Sequence, residues 1–407
     1  MTLIATGKGW SLKMARTVVS APRVEPDVVG AGQRPTGRPT LSDRLPRAWM
    51  FPILAFAATW VLILATWYGG DRLYGQSHPW TWHFMYKDAG WFLNVARHGY
   101  PPTLIRKTGL PGPATAFFPV FPALVRWAGR ALGSFEVGGL LVTVLAGTVS
   151  ALLVWEVAAR ARDRWVADRA VLLYCFFPGA MAFGMMYSEP VTVALGAGAV
   201  LALLNRRWLV AGIIGAAATA EASVLLALIA VSGLTALHAI WTRREWRALI
   251  APALTPLGVL TFFGYVGHRY HDYMFWFQSE QAYWGQHVDW GAKTVRILLW
   301  NSPDAFRYKF VWSLYVVMLF VIAAGIVMLL AARLPLPVTL YGVFLVATFV
   351  LSPANPRPRY VICAFPLFIG AAAKLPRALY WPVLVVSAAS LVFLIAWWPN
   401  HEIGPAP

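Results

Sequence analysis

Apolar runs long enough to cross a bilayer recur from Phe51 to Trp398, and nothing else in the chain constrains its fold so tightly. About 20 mostly apolar residues in a helix span the ~30 Å of a hydrocarbon core. Inside that core every backbone N–H and C=O must find a partner within the chain, which a helix supplies from its own ladder. The runs place spans at 51–69, 136–158, 169–187, 190–204, 208–220, 222–241, 248–267, 310–332, 336–351, 359–373 and 379–398. The expected fold is therefore all-α, a polytopic transmembrane helical bundle of about eleven spans. With 59% hydrophobic and 13% charged residues, no soluble catalytic domain is left over.

The net charge of +17 would suit a nucleic-acid partner if the basic residues formed a patch. They do not. Arg160, Arg162, Arg164 and Arg169 fall in one connection, Arg206 and Arg207 in the next of like sidedness, then Arg243, Arg244 and Arg247, then Arg333, then Lys374 and Arg377. All share a side with the N-terminus, the pattern that orients a multi-pass protein with its N-terminus in the cytoplasm. No nucleic acid is expected; the surroundings are the lipids of a cell membrane. Residues 1–47 hold eight Lys or Arg against three acids, with Pro22, Pro26, Pro35 and Pro39, a composition that cannot bury a core. They read as a disordered cytoplasmic tail ahead of a membrane domain over 48–407. Cys175 and Cys363 lie inside apolar spans and read as small core residues.

The opposite face receives two long segments, 70–135 and 268–309, both rich in Trp, Tyr and Phe. The first contains Trp91-Phe92-Leu93-Asn94-Val95-Ala96, an amphipathic piece suited to the membrane interface. Just before it stands Asp88, an acid held next to an oily chain and so a candidate for chemistry. Gly99 closes the same stretch, so Asp88 is also placed to cap a short helix. The same face collects Tyr187 and Glu189, Glu221, Arg357 and Arg359, and Gln286 and His287. Pro353, Pro356 and Pro358 stiffen the segment that carries the two arginines.

Taken in order, Asp88-Ala89 with Phe92 and His98-Gly99-Tyr100, Ala116-Phe117-Phe118-Pro119 with Phe121-Pro122, Phe177-Pro178-Gly179-Ala180 with Tyr187-Ser188-Glu189, and Tyr283-Trp284 resemble the PIG-V family. That family belongs to the GT-C glycosyltransferases. The resemblance covers roughly residues 80 to 370. It implies a mannosyltransferase with its active site on the extracytoplasmic face, taking mannose from a polyprenyl-phosphate donor to a hydroxyl of a lipid-linked glycan acceptor. It also implies that Asp88 corresponds to the catalytic acid of the family's first loop. Lys87 stands where Trp is usual, and Ala220-Glu221-Ala222 where relatives commonly carry an Arg-containing stretch.

Elementary chemistry fits that assignment. A sugar phosphate carries its own leaving group, so an inverting transfer needs one carboxylate base and cations for the phosphate, without the second carboxylic acid of a glycosidase. Asp88 is the candidate base, and Arg357, Arg359 and Lys87 the candidate phosphate ligands. Tyr187, Glu189, Glu221, Trp91, Gln286 and His287 are candidates for holding substrate. No ligand spacing demands a metal and no Gly-rich loop suggests a nucleotide, so no cofactor is expected, although folded Asp/Glu pairs are able to take up a divalent cation. Two other readings remain open at this point: a lipid or polysaccharide transporter or flippase, and a non-catalytic membrane subunit of a glycosylation complex.

Overall fold

The computed structural model describes residues 41–101, 113–299, 309–352 and 356–399. Residues 45–407 form one compact unit and 1–44 another, of which only the first turn of a helix falls among the described residues. The expected disordered tail therefore lies outside the described residues up to position 40, and from Leu41 onward its end is helical, because the first helix, α1, runs Leu41–Leu73. Pro353 also lies outside them.

All regular structure among the described residues is helical. Among the described residues six helical stretches are long and apolar enough to cross a membrane: Ala48–Leu73, Phe135–Ala161, Ser223–Arg243, Trp246–Tyr270, Lys309–Ala331 and Arg377–Trp397. Their outward faces carry residues such as Val61, Phe320, Val327 and Val385, exposed apolar groups that only lipid satisfies. The polytopic helical bundle is as expected, and five of the eleven expected segments are bent, broken or short. Segment 169–187 is a bent pair, Arg164–Cys175 and Pro178–Gly184, at 70° to each other. Segments 190–204, 208–220 and 336–351 are the shorter helices Glu189–Leu204, Trp208–Thr219 and Leu336–Val350. At 1.5 Å per residue these reach only about 18 to 24 Å, less than the hydrocarbon thickness. Segment 359–373 is broken into Pro358–Val361 and Pro366–Lys374. Proline explains both breaks: it lacks an N–H and its ring strikes the carbonyl four residues earlier, so a helix ends before Pro178 and again before Pro366.

The first long loop folds into the short helices α2 (Trp80–Phe84), α3 (Ala89–His98) and α4 (Val120–Leu132). As its pattern predicts, α3 is amphipathic, burying Ala89, Phe92, Val95 and Ala96 and exposing Asn94, Arg97 and His98. It ends at Gly99, whose φ of 77° is open to glycine at little cost. Phe92 packs between Phe117 and Phe121, at 4.7 and 5.0 Å between ring centroids, which seats the helix on the main core. That core runs on through α5 (Phe135–Ala161), α6 (Arg164–Cys175) and α7 (Glu189–Leu204).

Candidate active site

Three distant pieces of chain meet around one guanidinium. The first is the turn into α3, bearing Asp88. The Met186 N–H donates to the Phe84 carbonyl at 2.9 Å, tying α2 to the second piece, the run into α7 that bears Tyr187 and Glu189. The Asp88 N–H donates to the Tyr187 hydroxyl at 3.4 Å across the same junction. The third is α8 (Pro358–Val361), which begins at a proline whose fixed φ suits a first helical turn. It presses on Pro178–Gly184 so closely that a Cβ on Gly179 would sit 2.1 Å from the Pro358 carbonyl oxygen. Only glycine permits that approach.

The close packing delivers Arg359 into the protein, 4% exposed. Its Nη2 donates to Asp88 Oδ2 at 2.6 Å, and its Nη1 stands 3.7 Å from Glu189 Oε1. The guanidinium lies 4.8 Å from the Tyr187 ring centroid and 4.9 Å from that of Tyr360, whose hydroxyl also receives a bond from Nη2 at 3.2 Å. Arg357 approaches Tyr360 as well, at 5.6 Å. A buried ion needs a partner to offset its desolvation, and here one cation is bracketed by two carboxylates and aromatic faces. Of the three ionisable groups, Asp88 is the most open, its side chain 20% exposed against 5% for Arg359 and 7% for Glu189.

The expectation that Asp88 caps α3 needs correcting. Asp88 occupies the N-cap position, but at φ −64° and ψ −19° its backbone is already helical and its carboxylate accepts no bond from the helix N–H groups. Arg359 has taken it.

The remaining candidates are placed less uniformly. Glu221 is 2% exposed, with no cation paired to it among the described residues; burial pushes its carboxyl well above the usual range, and the charge of Glu189 adds to the effect. Trp91 stacks on Phe117 at 6.4 Å, and Phe117 meets Trp284 edge-on at 5.8 Å, so the two long loops touch through the aromatic residues of two of the sequence motifs. Lys87 is exposed and lies against the neighbouring Tyr86 ring at 5.2 Å. Among the described residues Gln286 and His287 bond within their own loop, their side chains to the Trp284 and Gly285 carbonyls at 3.4 and 3.1 Å. None of these three joins the Arg359 cluster. Sequence reasoning missed Tyr360, although an aromatic residue one position from a buried arginine is a standing signal for a cation–π contact. A cavity of about 610 Å³ lies elsewhere, lined by Tyr100, Pro122, Arg126, Ala220, Leu257 and Phe262 among others.

No family model matches this chain, and no curated protein matches it in sequence. Among solved structures it is similar to ArnT from Cupriavidus metallidurans, determined bound to undecaprenyl phosphate. The TM-score is 0.53 at 16% identity, covering 83% of this chain and 62% of that one. This chain thus spans less than two thirds of the length of that protein. The likeness bears on the fold alone, a polytopic helical membrane bundle. The resemblance to the PIG-V family rests on the motifs quoted above.

Proposed function

We propose that this protein is a membrane glycosyltransferase that passes a mannosyl residue from a polyprenyl-phosphate donor to a hydroxyl of a lipid-linked acceptor on the extracytoplasmic face. The observation that carries the reading is Asp88, a carboxylate fixed by Arg359 at the open edge of an otherwise buried charge cluster. In the reaction Asp88 accepts the proton of the acceptor hydroxyl, whose oxygen attacks the anomeric carbon. The bond from that carbon to the phosphate oxygen breaks, and its electron pair leaves with the polyprenyl phosphate.

Arg359 is a positioning residue in this scheme, since Asp88 and Glu189 already occupy its guanidinium. Arg357, partly exposed beside the same Tyr360 ring, is the group we assign to the donor phosphate, because a planar fork suits bidentate phosphate contact. Lys87, exposed next to Asp88, adds positive charge on the solvent side. Tyr187 and Glu189 border Arg359, and we assign them, with Glu221, Trp91, Gln286 and His287, to shaping the substrate site. Support for a lipid-phosphate donor comes from the shared fold, since the similar ArnT structure holds undecaprenyl phosphate. The positive-inside pattern of the sequence supports an extracytoplasmic position for the loops 70–135 and 268–309.

The test is transfer by the detergent-purified chain from polyprenyl-phosphate mannose to a membrane lipid extract, with products read by mass spectrometry. We expect a lipid-linked product heavier by one hexose. If no polyprenyl-phosphate sugar gives a product while the purified chain moves lipid-linked glycan across vesicles, the transporter reading replaces this one.

A further inference from the structure

Where α1 leaves the apolar core, three side chains that are far from regular ligand spacing in the sequence meet. Asp71 sits in the last turn of α1, His78 in the irregular segment that follows and His83 in α2. The Nδ1 of His78 lies 3.1 Å from Asp71 Oδ1, and the Nε2 of His83 lies 3.2 Å from Asp71 Oδ2. The three potential ligand atoms all fall within 4.8 Å of one another. Each imidazole is held by rings: His83 stacks on Trp67 at 5.1 Å, His78 stacks on Trp82 at 3.8 Å, and Trp82 also meets His83 edge-on at 5.0 Å.

From this geometry we propose that Asp71, His78 and His83 bind one divalent transition-metal ion of the zinc class. Three observations carry it. Each imidazole nitrogen lies about one tetrahedral ligand edge, ~3.3 Å for ligand distances of ~2.0 Å, from its own oxygen of the Asp71 carboxylate, so small side-chain adjustments bring three ligand atoms already within 4.8 Å of one another onto one ion. Two imidazoles with one carboxylate form the donor set that suits zinc, whereas calcium and magnesium ask for oxygen alone. Asp71 is 8% exposed, yet no Lys or Arg pairs with it among the described residues; its partners are the two imidazoles and the His78 N–H, at 3.0 Å. A cation between the rings supplies the missing charge. His83 is 5% exposed and its Nδ1 has no partner among the described residues, so Nδ1 is free to carry the proton while Nε2 turns to the metal. His78, with a side chain 22% exposed, leaves the solvent side for a water as fourth ligand.

The ion would staple the end of the first span to the loop that runs through α2 to Asp88. Its role is therefore positional, and it stands or falls independently of the glycosyltransferase reading. The test uses the full chain, free of any histidine tag, in detergent. Zinc content after dialysis is measured by mass spectrometry, melting is followed with and without added zinc chloride, and cobalt chloride serves as a spectroscopic probe. We expect about one zinc per chain, a higher melting temperature with zinc, and cobalt ligand-field bands of tetrahedral intensity. Asp71→Asn and, at the more exposed position, His78→Ala should each lose affinity by at least the ~10- to 100-fold seen when supporting groups are removed. Zinc binding and melting shifts identical in the wild type and in a folded His78→Ala variant, or no binding by the wild type, would overturn the site and leave a hydrogen-bonded triad.

Discussion

The Arg359 cluster and the Gln286–His287 tip, polar spots from different parts of the chain, behave in opposite ways. At the first, groups remote in sequence converge: 271 residues separate Asp88 from Arg359, and both are withdrawn from solvent to the degree that each needs the other. At the second, Gln286 and His287 bond to carbonyls two residues away and need nothing distant. The difference follows from solvation. A charge in a low-dielectric interior must be compensated by a placed partner, so its position reports on three-dimensional structure, whereas a polar group in water is indifferent to where it stands. In an apolar chain, then, the buried ionisable residue is the informative one.

Removing the shared cation should have the largest effect. Arg359→Ala strands the Asp88 and Glu189 carboxylates, and we expect a destabilisation of about 3–5 kcal/mol together with loss of transfer, read from melting curves and turnover. Arg359→Lys keeps charge without the fork and should fall between the alanine variant and wild type. A melting temperature unchanged in Arg359→Ala would break the contrast between the two regions. Next in size is Gly179→Ala, whose added carbon meets the Pro358 carbonyl at 2.1 Å. The helix bearing Arg359 must move, at about 1–3 kcal/mol by analogy with overpacked cores, and turnover should drop with it.

A smaller, pH-limited effect is expected in the second loop at Glu280, where burial pushes the carboxyl up from 4.5 to about 8. A folded pKa above the unfolded one means the folded state holds the proton more tightly. Its contribution to stability is full below pH 4.5 and fades as pH rises towards about 8. Glu280→Gln should flatten the melting-temperature profile across that window, and a profile unchanged by the substitution would contradict the assignment. Smallest of all, Gln286→Ala and His287→Ala should leave stability within about 0.5 kcal/mol of wild type. A raised KM with unaltered melting would assign these residues to substrate, and a large stability loss would show the tip to be as structured as the cluster.

Much of this was legible in the residues themselves. The apolar runs marked the helical membrane fold, and Asp88, Glu189 and Arg359 stood out because each abuts apolar or aromatic neighbours that draw it out of water. Less legible were the breaks at Pro178 and Pro366, since hydropathy sums over a window and does not register one missing N–H. The function of Asp88 as Arg359's partner rather than a helix cap was hidden for a different reason: capping is a local signal, and the competing guanidinium arrives from the other end of the chain. Asp71, His78 and His83 were invisible for the same cause, their spacing being set by how the loop folds back on Trp67 and Trp82. Lys87 shows the limit of proximity in sequence, adjacent to Asp88 yet turned to solvent with φ at 52°.

The central claim is that the Asp88 carboxylate accepts the acceptor's proton, and Asp88→Asn addresses it most directly. Asparagine keeps the size of the side chain and an oxygen for Arg359, so the variant should fold, while the proton acceptor is gone. With transfer from a polyprenyl-phosphate sugar and a melting curve measured on the same preparation, we predict retained cooperative unfolding and turnover lower by roughly 10² or more. A folded Asp88→Asn protein turning over at the wild-type rate would contradict the account and remove Asp88 from the mechanism.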